Sequence, residues 1–200
     1  CPAGSVTDTL TGTGASSCTA CAAGKFSSNS QTECSDCLAG TYASVTGKSS
    51  CDVCEAGKYA SNTGRTSCSP CAAGKFLADA ATDASLHDSS DDCVNCPHGK
   101  YASSTGNSEC VECPAGSYQP DARALCLVCP AGQYQDQTGQ ASCTPCDAGK
   151  YLEHDGTAYS HVNTTNGVFN RTYHDSPDDC VECPAGSVTD TLTGTGASSC

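Results

Sequence analysis

Cysteine is the residue whose number and spacing can do chemistry in this chain. Twenty of the 200 residues are cysteine, and eighteen of them form Cys-x-x-Cys pairs at 18/21, 34/37, 51/54, 68/71, 93/96, 110/113, 126/129, 143/146 and 180/183. Cys1 and Cys200 stand as half-pairs at the two ends. Paired thiols of this kind can close disulfides, hold zinc or exchange disulfides. Everything else in the sequence bears on which of the three is used.

Zinc-ribbon spacing is similar, with pairs about a dozen residues apart. Such sites sit with basic or mixed surfaces in reducing compartments, whereas this chain has nine Lys and Arg against twenty-two Asp and Glu, a net charge of -13. Redox use would need a βαβ scaffold around a pair, and none is legible. A cysteine content near one tenth is the mark of secreted scaffolds, in which covalent links replace apolar burial. An extracellular location, secreted or on a cell or flagellar surface, is therefore expected, with no metal and no cofactor.

Hydrophobic residues are 37% of the chain only when cysteine is counted among them; Met and Trp are absent and Phe occurs three times. One large core cannot be built from this composition. The acidic balance argues against nucleic acid and anionic membrane surfaces as partners. No apolar run reaches the ~18 residues needed to span a bilayer. Five histidines and many serines occur, yet no nucleophile motif or phosphate-cradling loop does, so an enzyme is not expected. With no signal peptide at its start and a half-pair at each end, the segment reads as cut from a longer chain.

Stepping from the cysteines to what lies between them reveals a repeat at two levels. Spacers are mostly twelve or thirteen residues, with sixteen after Cys1 and Cys183, twenty-one after Cys71 and thirty-three after Cys146. The two longest are insertions. At the larger level, CPAGSVTDTLTGTGASSC at 1–18 returns unchanged at 183–200, a superperiod of 182 residues and nine modules that implies an array continuing past both ends. The expected modules are 1–20, 21–36, 37–53, 54–70, 71–95 with the first insertion, 96–112, 113–128, 129–145 and 146–182 with the second, and 183–200 opens the next superrepeat.

Each pair is followed by x-x-Gly, where a tight backbone turn is expected, and two residues later stands an aromatic: Phe26, Tyr42, Tyr59, Phe76, Tyr101, Tyr118, Tyr134 and Tyr151. Val6 and Val188 take that place in the end modules. These rings are read as covers for neighbouring disulfides. Thr-Gly pairs at 46–47, 63–64, 105–106 and 138–139 signal turns between two short extended segments. A bridge closing about fifteen residues removes ~3 kcal/mol of unfolded-state entropy. That is well short of the cost of ordering the loop, so stacking on the next module must supply the rest. The fold class is therefore small disulfide-rich repeats, an elongated rod of short β-hairpin and irregular modules with almost no helix.

The pattern Cys-Pro-x-Gly-x-Tyr, at Cys113-Pro114-Gly116-Tyr118 and Cys129-Pro130-Gly132-Tyr134, resembles the first loop of tumour-necrosis-factor-receptor cysteine-rich modules. The full tandem is still more similar to ephrin-receptor-like cysteine-rich repeats, across essentially the whole chain. The receptor-type loop implies closure of each cysteine onto the next along: Cys1 to Cys18, Cys21 to Cys34, Cys37 to Cys51, Cys54 to Cys68, Cys71 to Cys93, Cys96 to Cys110, Cys113 to Cys126, Cys129 to Cys143, Cys146 to Cys180 and Cys183 to Cys200. Spacing alone leaves the pairing open, and an interlocked pattern that skips one cysteine satisfies it too. The alternation of loop types seen in those receptors is missing here.

Asn163-Thr164-Thr165 and Asn170-Arg171-Thr172 are N-glycosylation acceptors in the longest spacer. Thr7, Thr9, Thr11 and Thr13 alternate and recur at Thr189, Thr191, Thr193 and Thr195. On an extended strand they share one face, a candidate O-glycosylated ridge, packing seam or plain soluble face. Both insertions end alike, His87-Asp88-Ser89-Ser90-Asp91-Asp92-Cys93 and His174-Asp175-Ser176-Pro177-Asp178-Asp179-Cys180. Clustered carboxylates can ligate calcium; the plainer account is a solvated acidic loop. Together these features suggest a structural subunit of a glycosylated filament or flagellar hair, mastigoneme-like, that self-associates and carries covalent glycans. A receptor or adhesin ectodomain, or a surface-coat antigen on a repeat stalk, is the alternative.

Overall fold

Two-residue strands are the unit from which this chain is built. The computed structural model describes residues 1–9, 14–29, 33–121, 124–153, 174–192 and 194–200. It divides into two compact units, Cys1–Asn95 with Ser104–Glu109, and Cys96–Ser103 with Cys110–Cys200. The first unit carries five antiparallel hairpins and the second four, each closed by pairing of two successive strands.

The repeat pattern dictates each hairpin. In Lys25–Phe26 against Ser35–Asp36, the outgoing strand is the aromatic with the residue before it, and the return strand is the two residues between Cys34 and Cys37. Lys58–Tyr59 against Ser69–Pro70 and Gln133–Tyr134 against Thr144–Pro145 follow the same plan. Ahead of the strand, x-x-Gly makes a tight turn in which Lys58 N–H donates to Glu55 O at 3.0 Å, with Gly57 at φ +77°. Glycine reaches that left-handed conformation without the Cβ clash that penalises other residues. The second cysteine of the pair then locks onto the turn, Cys71 N–H donating to Gly57 O at 2.8 Å.

Ten disulfides close the loops, joining Cys1–Cys18, Cys21–Cys34, Cys37–Cys51, Cys54–Cys68, Cys71–Cys93, Cys96–Cys110, Cys113–Cys126, Cys129–Cys143, Cys146–Cys180 and Cys183–Cys200. No cysteine is free. The sulfurs are the core: Cys21, Cys37, Cys54, Cys71, Cys113, Cys129 and Cys146 are all buried, joined by small side chains such as Ala43 and Ala60. In the two loops that carry insertions the residue after the aromatic is leucine, Leu77 against Cys71 and Cys93, and Leu152 against Cys146 and Cys180. Tyr59 packs on the first cluster and Tyr134 on the second, each ring covering the bridge of the loop that follows it.

Backbone hydrogen bonds tie one loop to the next. In the first unit Gly4, Gly24, Gly40 and Gly57 donate through their N–H to Ser27, Ala43, Ala60 and Leu77 O, each at 2.8 Å. The accepting residue is always the one after the next loop's aromatic, and its own N–H donates onward: Ala43 to Arg65 O at 3.0 Å, Ala60 to His87 O at 2.8 Å. The second unit repeats this, with Gly116 donating to Gln135 O at 2.7 Å and Gln135 donating to His174 O at 2.7 Å. The Thr-Gly turns dock here as well, Gly64 N–H on Cys37 O and Gly139 N–H on Cys113 O, both at 2.7 Å.

Helix is confined, among the described residues, to three 3-10 turns, Ala84–Leu86, Ser90–Asp92 and Pro177–Asp179. All three lie in the insertions. The threonine row departs from the expected single strand face. Strand Ser5–Thr7 ends at Thr7, and Thr9 lies exposed in a turn. In the second copy Thr189 is buried and its hydroxyl donates to Leu192 O at 2.8 Å across a reversal. A strand of three residues is too short to carry four alternating side chains. Thr11, Thr13 and Thr193 lie outside the described residues.

Candidate functional site

The two insertions are where the chain departs from its repeat, and the first is described through its whole length. It begins at Asp79, whose carboxylate gathers the loop: Oδ2 accepts from Thr82 N–H at 2.9 Å and from Asp83 N–H at 3.2 Å, and Oδ1 accepts from the Thr82 hydroxyl. The Thr82 hydroxyl is the chief reason the Asp79 carboxyl lies far below the ordinary carboxylate range; the Thr82 amide, the Asp83 amide and His87 act the same way. Asp83 is lowered too, mainly by the Ser85 hydroxyl.

The acidic ends of both insertions serve as helix caps. Ser89 accepts from Asp91 N–H at 3.1 Å while Asp92 accepts from Ser89 N–H at 2.8 Å. Ser176 and Asp179 make the same reciprocal pair at 3.1 and 3.0 Å. This arrangement satisfies the two otherwise orphaned amides of each short turn. Among the described residues no three His, Cys, Asp or Glu side chains converge as metal ligands.

Between the caps and the strand lies an open hollow of about 400 Å³, floored by Phe76, Leu86 and Val94 and rimmed by Asp79, Asp91 and Asp92. Leu86 is 48% and Val94 56% exposed.

Sequence reading passed over the histidines that end the insertions. His87 is fully buried, its Nδ1 2.7 Å from Lys58 O and its Nε2 3.0 Å from Asp79 Oδ2. His174 is 3% exposed, with Nδ1 2.8 Å from Gln133 O. Lys58 and Gln133 hold the same place, just before the tyrosine of the preceding hairpin. A signal existed in the shared His-Asp-Ser-x-Asp-Asp-Cys ending, which puts each histidine six residues before its cysteine.

Of the modification candidates, Asn163 and Asn170 lie outside the described residues, as do Thr11 and Thr13. Thr7 is half-buried in its strand and Thr9 is exposed. Beside Thr9, Asp8 accepts from the Ser16 hydroxyl at 2.7 Å and the Ser17 hydroxyl at 3.1 Å; the identical second segment rebuilds this, Asp190 accepting from Ser198 at 2.6 Å. Both carboxyls are lowered, in each case chiefly by that first serine.

Ten closed bridges, two-strand hairpins and a hydrogen-bond ladder from loop to loop define small disulfide-rich repeat modules. The chain belongs to the family described as tyrosine-protein kinase ephrin type A/B receptor-like, matched at residues 40–85, 84–124 and 116–160. A comparison with curated proteins gives no match. Repeats of this family are typical of non-enzymatic extracellular domains, and with the disulfides they point to an extracellular or secreted domain, receptor-like or structural. No helix among the described residues is long and apolar enough to cross a membrane.

Proposed function

We propose that this chain is part of a structural subunit of a glycosylated extracellular filament or flagellar hair, of the mastigoneme kind, and that it has no catalytic role. The observation that carries this reading is the ladder. The turn amides of Gly4, Gly24, Gly40, Gly57, Gly99, Gly116 and Gly132 are each given to the next loop, so stability accrues by contact with neighbouring repeats, as in repeat scaffolds. The modules 1–20 through 146–182 are then interchangeable spacers. Exposed Leu86 on the first insertion and Val94 on the return strand beside it supply a lateral contact for a second copy, and the second insertion carries glycans at Asn163 and Asn170. Of the O-glycosylation candidates Thr7, Thr9, Thr11 and Thr13, exposed Thr9 is favoured over half-buried Thr7.

Membership of the receptor-like family favours a second reading, a receptor or adhesin ectodomain in which the repeats are a stalk. Electron microscopy of native material, combined with glycopeptide mass spectrometry, separates the two. Filaments with an axial repeat that matches the 182-residue period, and sugar on Asn163 and Asn170, are the outcomes expected. Monodisperse single molecules that bind a soluble ligand overturn the filament reading.

A further inference from the structure

Five loops carry an exposed threonine just before the glycine of their Thr-Gly turn: Thr46, Thr63, Thr105, Thr138 and Thr195. The glycine that follows is fixed to the ladder. In the first unit Gly47, Gly64 and Gly106 donate N–H to Cys21, Cys37 and Cys71 O at 2.8, 2.7 and 2.8 Å. In the second, Gly139 and Gly196 donate to Cys113 and Cys146 O at 2.7 and 2.8 Å. Each threonine is therefore held by its neighbour's backbone while its side chain meets water. Among the described residues, the hydroxyls of Thr46, Thr63, Thr105 and Thr195 make no hydrogen bond. Thr138 differs, its hydroxyl donating to Glu112 Oε2 at 3.2 Å. Threonines elsewhere spend theirs on the fold, Thr41 on Leu38 O and Thr189 on Leu192 O, both at 2.8 Å.

A free alcohol presented in water on an ordered turn is an acceptor for group transfer, and two groups suit it, a neutral sugar or a phosphoryl group. Electrostatics separates them. The chain has a net charge of -13, and Lys25, Lys48, Lys58 and Lys100 are already paired with carboxylates. A phosphate dianion would add like charge and find few cations to receive it. A sugar brings no charge and needs only room. Resting on the reading of this chain as an extracellular glycoprotein, we propose that Thr46, Thr63, Thr105 and Thr195 are O-glycosylation sites, one to a loop. In the transfer, Thr Oγ1 bonds to the anomeric carbon of a nucleotide-activated sugar as that carbon's bond to phosphate breaks. The nucleoside diphosphate leaves with the bonding pair, and the hydroxyl proton passes to a base of the transferase. Thr138 must first release Glu112, which makes it the poorer acceptor of the five.

Site-resolved glycopeptide mass spectrometry on protein from its native source, with fragmentation that leaves the sugar on its residue, tests this. Sugar is expected on Thr46, Thr63, Thr105 and Thr195, and Thr41 is expected bare. Thr138 should be occupied about threefold less than the other four, because its hydroxyl must first leave a carboxylate. Sugar on Asn163 and Asn170 with these four threonines bare overturns the proposal and leaves the glycoprotein reading standing. Sugar on none of these residues overturns both. Phosphate on the four threonines, or occupancy of Thr41 equal to theirs, also overturns the proposal.

Discussion

Gly24 lies with its Cα face against the carbonyl of Gly64: a Cβ placed on it would stand 2.3 Å from that oxygen. The loop closed by Cys37–Cys51 lies between these two residues in sequence, so each repeat is shaped by the second repeat along as well as by the first. Gly57 against Gly106 O, at 2.1 Å, and Gly132 against Gly196 O, at 2.0 Å, show the same packing. The turn glycine is therefore demanded twice, by its positive φ and by the carbonyl it must admit.

Two alanine substitutions separate these demands. Gly47 has φ +76° and only the Ala20 Cβ, 3.8 Å away, within 4 Å of its would-be Cβ, so Gly47→Ala should cost only the left-handed penalty of about 1–2 kcal/mol. Gly24→Ala, at φ +83°, must also displace a backbone carbonyl and should exceed about 3 kcal/mol. Denaturant unfolding followed by hydrogen exchange in each segment compares them. Equal costs would show that contact with the second repeat along is not binding on the fold.

Tyr59 carries the apolar contact of its hairpin with the Cys71–Cys93 bridge and Leu77. Tyr59→Ala should cost about 1–3 kcal/mol and should raise hydrogen exchange at Leu77 and Ala60 ahead of amides beyond Cys93. Tyr59→Phe should be nearly silent, because the ring and not the hydroxyl makes this contact. Uniform loosening of the whole chain by Tyr59→Ala would contradict the local account.

Removing one bridge should be felt by its neighbours. The Cys71→Ser, Cys93→Ser double variant opens a loop of sequence separation 22 and should cost about 3–4 kcal/mol. The loss should centre on residues 57–93 and fade along the ladder. Differential scanning calorimetry with exchange mapping reads both magnitude and spread.

Acid should act on Asp8 and Asp190 alike, since both are lowered from 3.8, in each case chiefly by one serine hydroxyl. A depressed carboxyl stabilises the fold fully above its unfolded value, and that contribution is lost as pH falls through the lower folded value. Carboxyl ¹³C titration should find both groups below the ordinary range. Ser16→Ala should return Asp8 toward that range and leave Asp190 where it was. Titration of both native carboxyls in the ordinary range would refute the assigned cause.

Cysteine spacing made the loop sizes and their tandem order legible, because a chain so poor in apolar residues has one means of closing a loop. Which cysteine meets which was not contained in spacing, and came only from likeness to receptor loops. The place of Tyr59 and Tyr134 over the next bridge was readable because eight of the eleven aromatics share one register. The threonine row misled because alternation says nothing of strand length, and Ser5–Thr7 stops after three residues. His87 and His174 were hidden in segments polar enough to look solvated. Their burial depends on carbonyls of Lys58 and Gln133, which a one-dimensional pattern does not place. The caps were readable in principle, since Ser89-x-x-Asp92 and Ser176-x-x-Asp179 follow capping-box spacing.

Sulfur bridges within each short loop stand in for an apolar interior. Non-reducing peptide mapping of native protein, with thiol and zinc assays on the same sample, tests that most directly. The expected result is ten local pairs from Cys1–Cys18 through Cys183–Cys200, no titratable thiol and no metal. Free thiols, or zinc bound in proportion to the Cys-x-x-Cys pairs, would contradict it.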